Sequence, residues 1–361
     1  MLFIPCFSIE YSMYFEVADI TASFVLIIGW GLLVGLVFST VGAAGGILAS
    51  VGLISVFGIQ NPNLVKPMAQ ALTLVTPLIA VPLYMRQCRV VYALAALLGA
   101  GGILGAFIGS SVSSVWLSDM SLFKPVFAVL IFFIAAQLAW QLLRKSSGND
   151  ELSSTMRAAE AFTQHLKSGG DACDIGVTHQ HLSASKIVIE FGKEEFVFHP
   201  LLPLLTGMGI AILSSALGVG GGFLLVPFMS MIMRLPMYVI AGTSALAITL
   251  HSITSIANYV RLGVELDYAL LGFLFIGVVA GSIIGPLISR RIPEKGLRAF
   301  LSLVLLLIGL RYVGVLSAMR MYRGLITSLL HFRATFDYQG VPVINADQRL
   351  FRTTRADRIT L

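Results

Sequence analysis

Two glycine-rich interruptions of long apolar runs carry the chemistry open to this chain. Gly42-Ala43-Ala44-Gly45-Gly46 breaks a hydrophobic stretch from about Phe24 to Phe57, and Gly218-Val219-Gly220-Gly221-Gly222 breaks another far downstream. Gly42, Gly45 and Gly46 recur in order and spacing as Gly218, Gly221 and Gly222. A backbone without Cβ atoms leaves helical geometry easily, but inside a bilayer the freed N–H and C=O groups must be met by protein or a water-filled cavity. A helix that starts at such a break presents N–H groups and about half a positive charge. That is the chemistry of an anion site that needs no buried Lys or Arg. The competing reading is that the glycines only let helices cross closely.

Around the breaks the polar candidates are Gln70 and Thr73 in the first half and Thr243, Ser244, Thr249 and Asn258 in the second. Hydroxyls and amides donate hydrogen bonds to oxyanion oxygens and cost far less to bury than an ionised side chain. Each alone also reads as a helix-packing contact. His251 is the titratable group deep in an apolar span, which suits proton coupling because an imidazole titrates near neutral pH. A neutral histidine bonded to a neighbouring helix is the alternative. His165, His179, His181 and His199 match no standard metal spacing and read as solvated. Cys6, Cys88 and Cys173 are scattered with no CxxC, which argues against a disulfide framework or a zinc site. No metal and no cofactor are expected.

These residues need a membrane to position them. Hydrophobic residues make up 57% of the 361 and charged residues only 12%, and mean hydropathy is +0.89. Apolar stretches of the ~20 residues that cross a bilayer recur between short basic segments, so the chain reads as a multi-pass integral protein of a cell (plasma or inner) membrane. The net charge of +6 sits in loops and tail, where it meets lipid headgroups; no basic stripe interleaved with aromatics points to nucleic acid. The first twenty residues lack Lys and Arg, so Met1 is kept in the mature chain. Oligomeric state is not legible.

Beyond the first break, spans are expected at 68–84, 91–112 and 126–143. After a hydrophilic interruption they resume at 201–217, 223–233, 237–259, 268–288 and 300–316. Within the interruption, Ile187–Phe191 and Glu195–Phe198 are expected to pair as a hairpin about Gly192-Lys193. At about fifty residues it is short for an independent domain. Gly101, Gly105 and Gly109 form a small-residue stripe suited to helix contact, echoed by Gly277, Gly281 and Gly285. Tyr84 and Arg86 match Tyr259 and Arg261, and Tyr92-Ala93-Leu94 match Tyr268-Ala269-Leu270 in nearly the same register, which argues for duplication.

The fold class expected is therefore an all-α polytopic membrane protein with two homologous repeats. Each repeat has a glycine-broken first segment and about four spans, giving 8 full spans by simple count and up to 10 segments. The boundaries are an N-terminal segment 1–21, repeat one 22–143, a central loop 144–199, repeat two 200–317 and an Arg-rich tail 318–361. If each broken segment returns to its starting side, the halves are inverted. Placing the N-terminus outside then puts Arg86, Arg89, Arg144, Lys145, Arg234, Arg290, Arg291, Lys295 and Arg298 inside, against Lys66, Lys124 and Arg261 outside. That model also sends the Arg-rich tail outside, so orientation stays open.

Gly42–Gly46, the run Ala216–Pro227, Ala241-Gly242-Thr243-Ser244 and the ending Leu310-Arg311-Tyr312 resemble the sulfite exporter TauE/SafE family of permeases over roughly residues 22–317. Ala44 replaces a glycine of that pattern. The resemblance implies a secondary transporter, a probable exporter, of small sulfur-containing anions such as sulfite or organosulfonates, working by alternating access. Its site residues on this reading are Gly42, Gly45, Gly46, Gln70, Thr73, Gly218, Gly220, Gly221, Gly222, Thr243, Ser244 and Asn258, with His251 for proton coupling. Partners are the small anion and membrane lipids. The spans hold no His-Glu-x-x-His, Gly-x-Ser-x-Gly or Walker pattern, so an enzyme is not expected. The competing class is a membrane sensor or scaffold acting through the central loop and tail.

Overall fold

The computed structural model describes residues 12–41, 45–143 and 194–289, most of 158–191, and residues 303, 306, 307, 309 and 310, all within one compact unit, Met1–Leu310. Gly42, the basic clusters at 144–145 and 290–298, nearly all of the last expected span and the tail lie outside the described residues. A hairpin, β1 (Ser12–Phe15) and β2 (Ile20–Ser23), leads into α1 (Phe24–Val41) and the short α2 (Gly45–Val51), which ends in a π-helical turn, Gly52–Val56. Then come α3 (Pro62–Arg86), α4 (Tyr92–Trp116) and α5 (Met120–Leu143). A central module follows, with α6 (Ala172–Ile175), β3 (Val177–Leu182), β4 (Ile187–Phe191) and β5 (Glu194–Phe198). The second half is α7 (Leu201–Leu217), α8 (Gly222–Met231), α9 (Met237–Arg261) and α10 (Tyr268–Ser289).

Five helices, α3, α4, α9 and most of α5 and α10, are long and apolar enough to cross a membrane. At 18 and 17 residues, α1 and α7 extend about 25–27 Å at 1.5 Å per residue, while the 10-residue α8 reaches about 15 Å. Local chemistry sets the ends. Asn61 caps α3 by accepting from Asn63 N at 3.0 Å, with Pro62 at the first turn where its missing N–H costs nothing. Asp119 opens α5 by accepting from Ser121 N at 2.9 Å, and that bond holds its carboxyl below the ordinary carboxylate range.

The all-α expectation needs amending: besides the expected hairpin of β4 and β5, three further short strands accompany the helices among the described residues. In β4 the alternate residues Ile187, Ile189 and Phe191 are buried, the period-2 pattern of a half-buried strand. β4 pairs antiparallel with both β3 and β5, in the register Ile187↔Phe198 for the latter. The expectation against a disulfide framework is also corrected, by one bond. Cys88, in the turn after α3, forms a disulfide with Cys173 of α6. Eighty-five residues separate the two, so only the folded chain brings them together.

The central module is not a dangling loop. Its Phe162, Ile187, Ile189, Phe191 and Phe196 share one buried apolar cluster with Val91 and Leu94 of α4, Leu225 and Met229 of α8, and Val239 and Ile240 of α9. α7 follows directly on β5, so α7 and α8 enter and leave on the module's side. On the opposite side, Ala18 N donates to Asp267 Oδ2 at 3.2 Å, placing the β1–β2 hairpin against the start of α10. A cleft of about 600 Å³ there is lined by Glu16 and Val17, by Asn61, Asn63 and Leu64, and by Leu262–Glu265. α1 therefore starts on the side where α3 starts, and the pair α1–α2 opens toward that side.

The small-residue stripes lie where backbones touch. α4 packs on α7, with Gly101, Gly105 and Gly109 against the carbonyls of Leu204, Met208 and Ile212. α10 packs on α1 with Gly277 and Gly281 against the carbonyls of Ile28 and Leu32. Each glycine-striped helix thus rests on the first helix of the other half. Without a hydrophobic driving force between helices in lipid, this close approach supplies the van der Waals contact that holds them.

Gly105→Leu and Gly281→Leu should each cost about 1–3 kcal/mol or more through overpacking, since the new Cβ meets backbone and not a movable side chain. Gly272→Ala, where a Cβ meets nothing within 4 Å, should leave stability unchanged. Thermal unfolding of the detergent-solubilised variants checks both.

Candidate functional site

The second break is a left-handed corner. Gly218 (φ 73°), Gly220 (φ 73°) and Gly221 (φ 46°) occupy the region that costs a residue with a Cβ about 1–2 kcal/mol. Gly218 N and Val219 N both return to Ser214 O, at 2.8 and 3.2 Å, closing the end of α7. α8 then begins at Gly221 without a side-chain cap. Gly222 N returns to Gly220 O, and Leu224 N and Leu225 N return to Gly221 O, so backbone carbonyls take most of the first turn's N–H groups.

The first break meets the second at this corner. Gly46, in the first turn of α2, lies against the carbonyl of Val219, where any side chain would collide. Ser50, one turn further, donates to Gly218 O at 3.2 Å. From α3, Gln70 Nε2 donates to Ser214 O at 3.1 Å, and Thr73 Oγ1 donates to Gln70 O at 2.9 Å. A Cβ built at Gly220 would stand 2.7 Å from Thr73 Oγ1, and one at Gly221 2.8 Å from His251 Nε2. So α2, α3, α7, α8 and α9 converge within a few ångströms.

All of these side chains are buried, His251 at 3% exposure and Gln70, Ser50 and Ser214 at 0%. Gln70 Oε1, Ser214 Oγ and His251 Nε2 have no hydrogen-bond partner among the described residues. Buried polar atoms are nearly always paired, so three orphans around one backbone corner mark a place built for a polar ligand or water. The Ser214 hydroxyl and the His251 imidazole are free to donate to an anion, and no carboxylate stands among these neighbours; the Gln70 N–H is spent on Ser214 O, which leaves its Oε1 as an acceptor.

Of the residues singled out in the sequence, Gly46, Gln70, Thr73, Gly218, Gly220, Gly221, Gly222 and His251 stand at this corner. Gly45 lies against the Phe38 ring, on the α1 side of α2. Thr243 and Ser244 are elsewhere along α9, Thr243 eight residues and about 12 Å of helix before His251. Thr243 Oγ1 accepts from Val91 N at 3.1 Å, and Ser244 Oγ donates to Ala241 O at 3.5 Å. Asn258 lies toward the other end of α9. Its Nδ2 donates to Ser110 Oγ at 2.7 Å and Ser111 Oγ at 2.9 Å, tying α9 to α4.

Sequence reasoning missed Ser50, Ser214 and Lys66. The serines carry one usable signal, since Ser214 and Ser50 each sit four residues from a break glycine on a helix that borders it. Lys66 corrects two expectations, that no basic residue is buried and that this lysine is a loop charge. It is 0% exposed in α3, and its backbone lies against Gly218. Its Nζ donates to Asn63 Oδ1 (3.0 Å), Ser113 O (3.0 Å), Ser113 Oγ (2.8 Å) and Leu117 O (2.8 Å). It also stands 5.4 Å from the Phe123 ring centroid and 5.9 Å from that of Tyr259. A long apolar stem lets the ammonium reach the last carbonyls of α4, where a cation answers the helix dipole.

The sulfite exporter TauE/SafE family matches residues 27–312, so the chain belongs to that family of membrane transporters. A probable membrane transporter protein of Xylella fastidiosa (strain 9a5c) is 25% identical over 272 residues, covering 74% of this chain and 86% of the relative. The probable membrane transporter protein YunE of Bacillus subtilis (strain 168) is 26% identical over 304 residues, covering 82% of this chain and all of the relative. No solved structure matches the chain.

Gly46→Ala and Gly221→Ala should abolish ligand binding or transport, the first by pushing apart the two breaks and the second by filling the space beside His251. Gly209→Ala on α7, where a Cβ meets nothing within 4 Å, should behave as the parent. Uptake into proteoliposomes, with size-exclusion profiles to confirm folding, measures all three.

Proposed function

We propose that the chain is a secondary transporter of small sulfur-containing anions such as sulfite or organosulfonates, acting as an exporter. The observation that supports this most directly is the meeting of two glycine breaks, Gly46 on Val219, beside the unpaired polar atoms of Gln70, Ser214 and His251. The family description names sulfite export, and an oxyanion fits a corner furnished with N–H and O–H donors.

On this reading the chain is two inverted repeats, α1–α5 and the segments from α7 onward, each contributing one hairpin that dips in from its own side. Alternating access follows from rocking the paired units α4–α7 and α1–α10 about the corner where the hairpin tips touch. The anion sits at the uncapped start of α8, held by Ser214 and the backbone, with Gln70 and Thr73 closing the other side. His251 touches the same corner, so its protonation would add a positive charge next to the anion and couple the two movements.

Purified protein in proteoliposomes should move at least one of sulfite, sulfate, thiosulfate and a small sulfonate, faster with a pH gradient than without. His251→Gln should retain flux and lose its pH dependence. No flux for any of the four anions would overturn the transport reading, and unchanged pH dependence in the variant would overturn the coupling role.

A further inference from the structure

The Cys88–Cys173 disulfide takes no part in the site above, yet it fastens the central module to the membrane helices. Cys88 ends the turn after α3 with φ 50°, a left-handed backbone that is uncommon for a side-chain-bearing residue. A second strap lies beside it, with Val177 N of β3 donating to Cys88 O at 3.0 Å. The module then covers the outer ends of α8 and α9, the side on which the α7–α8 hairpin opens. The Phe162 ring meets Tyr238 at 4.9 Å between centroids, and the Arg89 guanidinium lies 4.7 Å over the other partner of that contact, the Tyr238 ring.

Both cysteines are half-buried, so a small solute reaches the bond. Two arginines flank Cys88 in its turn, Arg86 exposed and Arg89 half-buried. Burial pushes the Arg89 guanidinium below its ordinary value, yet an arginine keeps its charge at neutral pH. Arg89 Nε has no hydrogen-bond partner among the described residues. Arginines one and two residues from Cys88 give this turn positive charge, which draws in a dianion and favours a departing thiolate.

We propose that this disulfide is a sulfite-cleavable clasp on the module, an inference that rests on the sulfur-anion reading above. The lone pair on the sulfur of sulfite attacks one Sγ, and the S–S bond breaks with its electron pair going to the other Sγ. The products are one cysteine S-sulfonate and one cysteine thiolate. The disulfide is reduced by two electrons and the sulfite sulfur is oxidised by two, so no further oxidant or reductant enters. Sulfate and alkyl sulfonates have no lone pair on sulfur and leave the bond intact. Cleavage thereby unfastens the module from the turn after α3.

The purified full-length protein, incubated with sulfite or with sulfate, tests this by intact and peptide mass, a thiol count and limited proteolysis across 177–198. Sulfite should add one SO3 group and release one thiol per chain, and module proteolysis should rise several-fold; sulfate should do neither. Arg86→Gln with Arg89→Gln should slow the cleavage several-fold. Cys88→Ser with Cys173→Ser should be protease-sensitive without sulfite and indifferent to it; if that variant does not fold, wild type reduced by a thiol supplies the same open state. A disulfide that survives sulfite, or one that is cleaved with no change in proteolysis, would overturn the clasp. Sulfite flux through protein whose disulfide stays intact would sink the clasp and leave transport standing, whereas cleavage without flux would do the reverse.

Discussion

A bilayer core contains no water to satisfy a peptide group, and the rest of this structure depends on that constraint. Each place where the chain stops being helical inside the apolar layer must find its hydrogen bonds in protein. The two breaks solve this jointly. Ser214 O takes Gly218 N and Val219 N at the end of α7 and also accepts from Gln70, while Ser50 reaches across from α2 to Gly218 O. Three of the buried polar atoms left without a partner among the described residues, on Gln70, Ser214 and His251, gather at this corner; others lie on Trp30, Arg89, Ser215, Ser252, Ser255 and Asn258. A cluster of unpaired polar atoms at one backbone corner is where a polar ligand or water would be met.

The same constraint explains the framework. The glycine stripes wall the corner by bringing α4 onto α7 and α10 onto α1 at backbone distance. Polar ties then fix α9 between them. Asn258 bonds Ser110 and Ser111, Thr243 bonds Val91 N, and Tyr259 donates to Ser215 O at 3.0 Å. Lys66 belongs to this framework and not to a loop, because its ammonium supplies hydrogen bonds to the carbonyls that end α4.

Much of the fold was legible because membrane helices announce themselves in one dimension. Apolar length gives the spans, and spacing of four gives the stripe Gly101, Gly105 and Gly109, since residues four apart share a helix face. The glycine breaks were legible for the complementary reason, as no other residue interrupts an apolar run at so little cost. Candidate polar residues were harder. Gln70 and Thr73 of α3 and His251 of α9 stand at the corner, while Thr243 and Asn258 tie α9 to its neighbours and Ser244 bonds within α9, and nothing in residue type separates the two groups. Only the rotation and depth of α9 do, and those are set by its neighbours. The central module was underread because its core is not its own: Phe162 and Ile187 bury against α4, α8 and α9, so a count of its own apolar residues undervalues it.

The sequence by itself determined that this chain lives in a membrane and that glycine-rich segments interrupt its apolar runs. Such properties are sums over neighbours along the chain, and periodicity and composition record them. Tertiary structure alone decided that the breaks touch, that Ser214 and Ser50 belong to the corner, that Lys66 is buried, and that Cys88 is bonded to Cys173. Each of these joins residues far apart in sequence through surfaces that exist only after packing. Burial, pairing and charge environment are set by that packing, which a linear pattern does not encode.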